Sequence, residues 1–205
     1  MARITDIQLT HGVREMDVVD AIYGRRAIRD FTDAAIPHEE IEALIEAAIE
    51  APSGVNLQPW TFVVASGRPL LARWSKLAKA HVLDTQTSTP HGLMEHLTSE
   101  AFNIFYNAPH LIVICATDTS LMSLKDCCLA AENLMLAAYD RGMGSCWIWF
   151  SESWLASPQG REELGIRPDC VPVAPVILGR PTGSPPRPHR NPPAIRWIAP
   201  QPVMA

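Results

Sequence analysis

No run of apolar residues in this 205-residue chain reaches the roughly 18 that a membrane-spanning helix needs. No basic-then-apolar leader stands near residue 1 either, so the cytoplasm is the expected location and no membrane partner is expected. Basic residues are few: 17 Lys and Arg against 22 Asp and Glu give a net charge of −5 at pH 7. With no face rich in Lys and Arg, a nucleic-acid partner is not expected. Five cysteines (Cys115, Cys127, Cys128, Cys146 and Cys170) form no C-x-x-C pair. An odd count, lying mostly in apolar runs, reads as buried free thiols in a reducing compartment. The seven histidines lack H-x-x-x-H and H-E-x-x-H spacing. His81, His91 and His96 share one polar stretch, yet no metal site is expected.

Apolar residues are plentiful, at 47% against 19% charged, enough for one domain with a sizeable core. Asp17 can cap a short helix in which Val18, Val19, Ala21 and Ile22 are apolar, ending at Gly24. Residues 24–31 (Gly-Arg-Arg-Ala-Ile-Arg-Asp-Phe) read as extended, with Arg25, Ala27 and Arg29 on one side and Arg26 and Ile28 on the other. Two guanidiniums on one side are costly unless an anion or acidic side chains lie between them. This is either a solvated basic turn paired with Asp30 and Asp33, or a phosphate clamp. A helix over residues 37–50 follows, with Ile41, Leu44, Ile45, Ala48 and Ile49 at helical spacing. Next comes Ala51-Pro52-Ser53-Gly54-Val55-Asn56-Leu57-Gln58-Pro59-Trp60-Thr61-Phe62. Pro52 ends the helix, Gly54 permits close backbone approach, and Ser53 and Asn56 offer short hydrogen-bonding groups. A helix cap leading to a core tryptophan would explain it; so would a rigid polar edge for a planar ligand with a polar tail.

The remaining elements follow from period and punctuation. Residues 60–66 read as a strand, and Pro69 opens a helix carrying Leu70, Leu71, Trp74, Leu77 and Ala78. Residues 84–90 are a polar loop or lid, and a helix is expected over 92–106. Its aromatics Phe102, Phe105 and Tyr106 suit either a core or a pocket wall near a substrate gate. Residues 110–116 form an apolar run of buried-strand length. The helix predicted over 121–141 is so apolar around its girth that nearly every side should be buried, with Glu132 and Asn133 as structural hydrogen-bonding groups. Residues 144–150 read as strand, and Ser151 or Ser153 as the cap of a helix reaching Leu164. Pro172 and Pro175 suggest that the strand 171–179 is a sheet edge or that they mark its start. The tail from Arg180 is proline-rich and cannot form its own core.

The segments 24–31 and 51–62, followed by Gly142-Met143-Gly144-Ser145-Cys146-Trp147-Ile148, stand in an order that resembles the nitroreductase family of FMN-dependent oxidoreductases, from about Val18 to Gly179. The resemblance implies an α+β, three-layer fold, helices around a small mostly antiparallel sheet, assembled as an intertwined homodimer. Residues 1–15 would be an N-terminal extension, 16–180 the FMN-binding domain, and 181–205 a tail wrapping the partner subunit. Arg25, Arg26, Ala27 and Arg29 would touch FMN, with Arg25 on the phosphate and Arg29 near the pyrimidine edge. Ala27 stands where the family pattern usually has Ser. Pro52, Ser53 and Asn56 would reach a flavin held mainly by the other subunit. The backbone of Cys146, Trp147, Ile148 and Trp149 would meet the ring, and Arg187 or Arg190 would complete the phosphate site. Nothing near Cys146 in the sequence suggests a lowered thiol pKa. The implied chemistry is ping-pong hydride transfer from NAD(P)H through FMN to an electron-poor acceptor such as a nitroaromatic or quinone. A reductive dehalogenase or dedicated dehydrogenase of the same fold, or a non-catalytic FMN-binding sensor, is the alternative. No side chain is singled out as a general acid or base.

Overall fold

The computed structural model describes residues 16–85 and 93–198. The expected N-terminal extension, most of the polar loop and the last residues of the tail lie outside them. The fold is built around β2 (His110–Ala116), buried at every position. Its side chains alternate as a strand requires. Leu111, Val113 and Cys115 enter one core, and Ile112, Ile114 and Ala116 enter the other. β1 (Trp60–Ser66) pairs antiparallel along one side of β2. β4 (Val171–Gly179) pairs antiparallel along the other, and β3 (Gly144–Trp147) closes the order β1-β2-β4-β3. Against one face pack α3 (Arg68–Thr85), α6 (Glu152–Ala156) and α7 (Pro158–Leu164). Against the other pack α2 (His38–Ile49) and α5 (Leu121–Asp140). With each fully buried Leu or Ile worth about 1.5–3 kcal/mol, the two cores make this a three-layer α+β sandwich.

Several expectations need correction. β4 lies inside the sheet, although it carries two prolines. Its register shifts opposite Ile114 and Cys115, where Ala174 and Pro172 face successive partners and Val173 is the extra residue of a bulge. Pro175 lacks an N–H but still accepts from the Ile148 N–H at 2.8 Å. β3 stops at Trp147 because residues 149–151 turn into a 3-10 helix. The helix expected to reach Leu164 is two helices. Ser157, not Ser151 or Ser153, caps the second by accepting from the Gly160 N–H at 3.1 Å. Of the helix expected over 92–106 only α4 (Leu93–Thr98) forms. Beyond it the buried Lys79 ammonium donates to the Ser99 and Phe102 carbonyls at 2.8 and 2.7 Å, and Ile104 N–H donates to Ser75 Oγ at 3.0 Å. Those tertiary bonds replace the next helical ones.

α1 (Val18–Gly24) has the predicted cap, Asp17 accepting from Val19 N–H at 2.7 Å. The apolar girth of α5 is only half covered within one chain: Cys127, Ala130, Leu134 and Ala138 are fully buried, while Leu121 is 67% exposed and Met122 and Leu129 are also open. Within α5, Asn133 donates to the Ala47 carbonyl at 3.3 Å. Four cysteines are buried; Cys128 is exposed. Burial pushes the Cys115 and Cys127 thiols up to about 12, so both stay protonated at neutral pH.

Two measurements check the packing. A Cβ at Gly160 would stand 2.1 Å from the Trp154 carbonyl oxygen. Gly160→Ala should therefore lower stability by roughly 1–3 kcal/mol, the usual cost of overpacking, seen as a lower urea midpoint. His110, hydrogen-bonded to Ser66 Oγ at 2.9 Å, has its pKa lowered by burial and then by His38. A lowered folded value means the unfolded chain binds this proton more readily, so stability is full above about pH 6.5 and declines as pH falls from there through the folded value. Urea melts at pH 7.5 and 5.5 should show that decline, and His110→Asn should reduce it.

Candidate functional site

The arginine-bearing segment is fastened to the open edge of the sheet. Ala27 bridges Ser145 in parallel, and Ile28 N–H donates to the Ser145 carbonyl at 3.0 Å. The approach is close because position 144 is glycine: a Cβ there would lie 2.7 Å from Ile28 Cβ. Arg25 is half-buried, its Nε 3.5 Å from Glu132 Oε1. Arg26 turns onto its own backbone, donating to the Tyr23 and Arg25 carbonyls at 2.8 and 2.7 Å. Arg29 is exposed, with its guanidinium 5.5 Å from the centroid of Tyr106. Asp30 and Asp33 do not neutralise these arginines. Asp30 accepts from the Thr182 hydroxyl at 2.6 Å, and Asp33 pairs with Arg68. The basic-turn reading therefore loses its acids.

Two cavities flank the segment. One, of about 420 Å³, lies between residues 27–30 and 182–185. The other, of about 90 Å³, is lined by Arg25, Arg26, Tyr139, Met143 and Ser145 among others. Cys146 is buried beside both arginines; burial raises its pKa, and Arg29 and then Arg25 pull it down. The sequence does not reveal that opposition, because the two guanidiniums lie more than a hundred positions away. Ile148 is buried, and its N–H is engaged by Pro175. In an antiparallel ladder successive residues face opposite neighbours. With Ile148 facing β4 and Ser145 facing Ile28, the Trp147 N–H is turned to the open edge. The Trp147 indole donates to Glu152 at 2.7 Å, while burial raises the Glu152 pKa and this bond partly offsets it. Trp149 is 59% exposed and packs edge-to-face on Phe150.

The loop 51–59 is strained and self-supported. Val55, Asn56 and Gln58 all have positive φ, and Val55 is 88% exposed. Such backbone costs of order 1–3 kcal/mol per residue and persists where its surroundings hold it. Gln58 N–H donates to Ser53 Oγ at 3.0 Å, Gln58 Nε2 donates to Asn56 Oδ1 at 3.2 Å, and Gly54 N–H donates to the buried Asp126 at 3.1 Å. Asp126 is a site-shaping residue that sequence reading missed; an acid within an apolar helix face was its signal. Among the described residues, Pro52, Ser53 and Asn56 line neither of these two cavities. The tail leaves the sheet through Arg180, held bidentately by Glu40 at 2.7 Å, and through Thr182. Arg187 then lies 5.1 Å from the Tyr23 ring centroid, and Arg190 is exposed. Neither lines the two cavities.

The donor set can be tested against FMN. A guanidinium held by one long contact suits a phosphate, and a second cation with a bare peptide N–H suits a ring bearing acceptor atoms. One chain supplies those groups and an open cavity, but not the serine–asparagine corner. The residues fit one side of the cofactor.

Similarity to known proteins extends over most of the chain. Residues 22–180 match the nitroreductase family. A provisionally named NADH dehydrogenase/NAD(P)H nitroreductase of Archaeoglobus fulgidus is 35% identical over 169 residues, 78% of this chain and 83% of that one. The crystal structure of a Bacteroides fragilis nitroreductase with bound FMN superposes with a TM-score of 0.78 at 25% identity, covering 90% of this chain and all of that one. The FMN-dependent nitroreductase NfnB of Mycobacterium smegmatis, in complex with NADPH, superposes at 0.63 with 26% identity, covering 80% and 87%. On sequence and fold together, this chain belongs to the nitroreductase family.

Proposed function

We propose that two copies of this chain form a homodimer holding FMN at their interface, each site taking residues from both. The protein is an FMN-dependent NAD(P)H oxidoreductase, and it passes hydride by a ping-pong route to an electron-poor acceptor such as a nitroaromatic or quinone. The observation that carries the reading is the Arg25–Arg29 segment. Its cations lie along an open sheet edge, beside a cavity, with the neighbouring acids Asp30 and Asp33 engaged elsewhere. Bound FMN supplies a ring that takes up and releases hydride. The chain supplies grip and charge: Arg25 binds the phosphate, assisted from the tail by Arg187 or Arg190. Arg29 balances negative charge on the pyrimidine edge, and Trp147 N–H donates to the ring.

Pro52, Ser53 and Asn56 close the site of the other subunit. Support for the second copy comes from apolar surface that one chain leaves open: Val18, Val19 and Ile22 on α1, and Leu121, Met122 and Leu129 on α5. The strained loop borders the same surface, with Gly54 packed against Met122 of α5.

A reductive dehalogenase or dedicated dehydrogenase of the same fold would differ in its acceptor. NADH and NADPH oxidation measured with nitroaromatics, quinones and halophenols separates these activities. A flavin sensor differs in kinetics: stopped-flow mixing with NAD(P)H should bleach this flavin rapidly. The phosphate assignment has its own test. Arg25 and Glu132 are both solvent-accessible, at 23% and 48%, so their pair contributes about 0–1 kcal/mol to folding. A charge-assisted bond to phosphate is worth roughly 1.5–3 kcal/mol. Arg25→Ala should therefore weaken FMN binding by about ten- to a hundredfold, with little change in the urea midpoint. Unchanged FMN affinity would refute the phosphate assignment.

A further inference from the structure

Arg29 is exposed, lies against the face of Tyr106 and has the Cys146 thiol beside it. Tyr106 is in turn fixed from three directions. Its backbone and that of Asn107 take positive φ, 51° and 53°, which sets the direction of the ring. Phe102 packs edge-to-face on it, with ring centroids 5.7 Å apart. Phe102 itself is tied down through its carbonyl by the buried Lys79, which also holds Ser99. Ser75, one helical turn before Lys79 on α3, binds the Ile104 N–H. Two polar side chains on one stripe of α3 thus hold the backbone at Ser99, Phe102 and Ile104. A lid built to open would not be pinned by a buried ammonium. The segment is an arm tethered to α3.

We infer that Tyr106 is a positioning residue: the arm anchored by Lys79 and Ser75 presents the Tyr106 ring to Arg29 and thereby sets how strongly Arg29 favours the reduced flavin. The inference rests on the proposed FMN site. Two-electron reduction of the ring with uptake of one proton leaves one negative charge on it. A cation held in place beside that charge raises the midpoint potential, because it binds the reduced form more tightly than the oxidised one. A free Arg29 spends most of its time solvated, away from that edge, and favours the reduced form less. The aromatic face supplies the hold, so the phenolic hydroxyl is dispensable.

The test is the midpoint potential of FMN bound to the purified protein, measured beside the affinity for oxidised FMN. Tyr106→Leu removes the aromatic face and should lower the potential. A tenfold loss of preference for reduced over oxidised flavin corresponds to about 30 mV for a two-electron couple. Tyr106→Phe keeps the face and should hold the wild-type potential. Lys79→Met releases the arm without touching Arg29 and should move the potential in the same direction as Tyr106→Leu. Affinity for oxidised FMN should change less than threefold in each variant. A wild-type potential in Tyr106→Leu, or an equal drop in Tyr106→Phe, would overturn the inference. An unchanged potential in Lys79→Met would overturn the anchoring part. Wild-type protein that binds no FMN would bring down the underlying functional reading, a different failure from that of a loaded protein with unmoved potentials.

Discussion

The candidate site depends on one short contact, the parallel bridge between Ala27 and Ser145. It is closed by the Ile28 N–H to the Ser145 carbonyl at 3.0 Å. Without it, residues 25–29 would be a loop whose cations repel one another into solvent. With it, Ala27 is fixed to the sheet edge, with Arg25 and Arg29 two residues to either side. The contact depends on Gly144, since a Cβ would strike Ile28. It depends equally on β3 being the edge of the sheet, because an interior strand has no spare side for the arginine segment.

The same bridge leaves one outward-facing peptide of the edge free. It occupies the outer side of β3 at Ser145 and stops, leaving the next outward-facing peptide, Trp147, available. The 3-10 turn over Trp149–Ser151 then carries the chain out of the sheet plane. A ligand is thus offered a cation, a cavity and a donor along one edge, all set by backbone pairing. The second group of polar residues, on the strained loop around Ser53 and Asn56, is supported by Asp126 on α5. That loop lines neither cavity of its own chain, and in the proposed dimer it would serve the neighbouring copy's site.

Much of this was legible in the sequence, for physical reasons that differ by element. β2 and α5 announce themselves because their burial is dictated by period, and Asp17 and Gly24 bracket α1 by local capping chemistry. The arginine segment stands out in the sequence because its cations are close together, but its bridge to Ser145 does not. Where reading failed, tertiary bonds overrode local signals. Pro172 and Pro175 looked like edge residues, but a bulge at Val173 and an acceptor-only role for Pro175 admit both to the interior. The aromatic run 102–106 had helical spacing, yet Lys79 and Ser75, more than twenty positions earlier, capture its backbone and leave Tyr106 against Arg29. No window of sequence contains both partners of such contacts. Asp126 was visible as an acid in an apolar face, but its partner, an N–H at Gly54, was not.

The central claim is that a complete site takes Arg25 from one chain and Ser53 with Asn56 from another. Chains carrying Arg25→Ala can be co-refolded with chains carrying Ser53→Ala and Asn56→Ala, and the mixture titrated with FMN. If sites are shared, each mixed dimer regains one intact site, so random pairing restores wild-type affinity to roughly a quarter of the sites, a class absent from either parent. A mixture that binds only as the sum of its two parents would contradict the account.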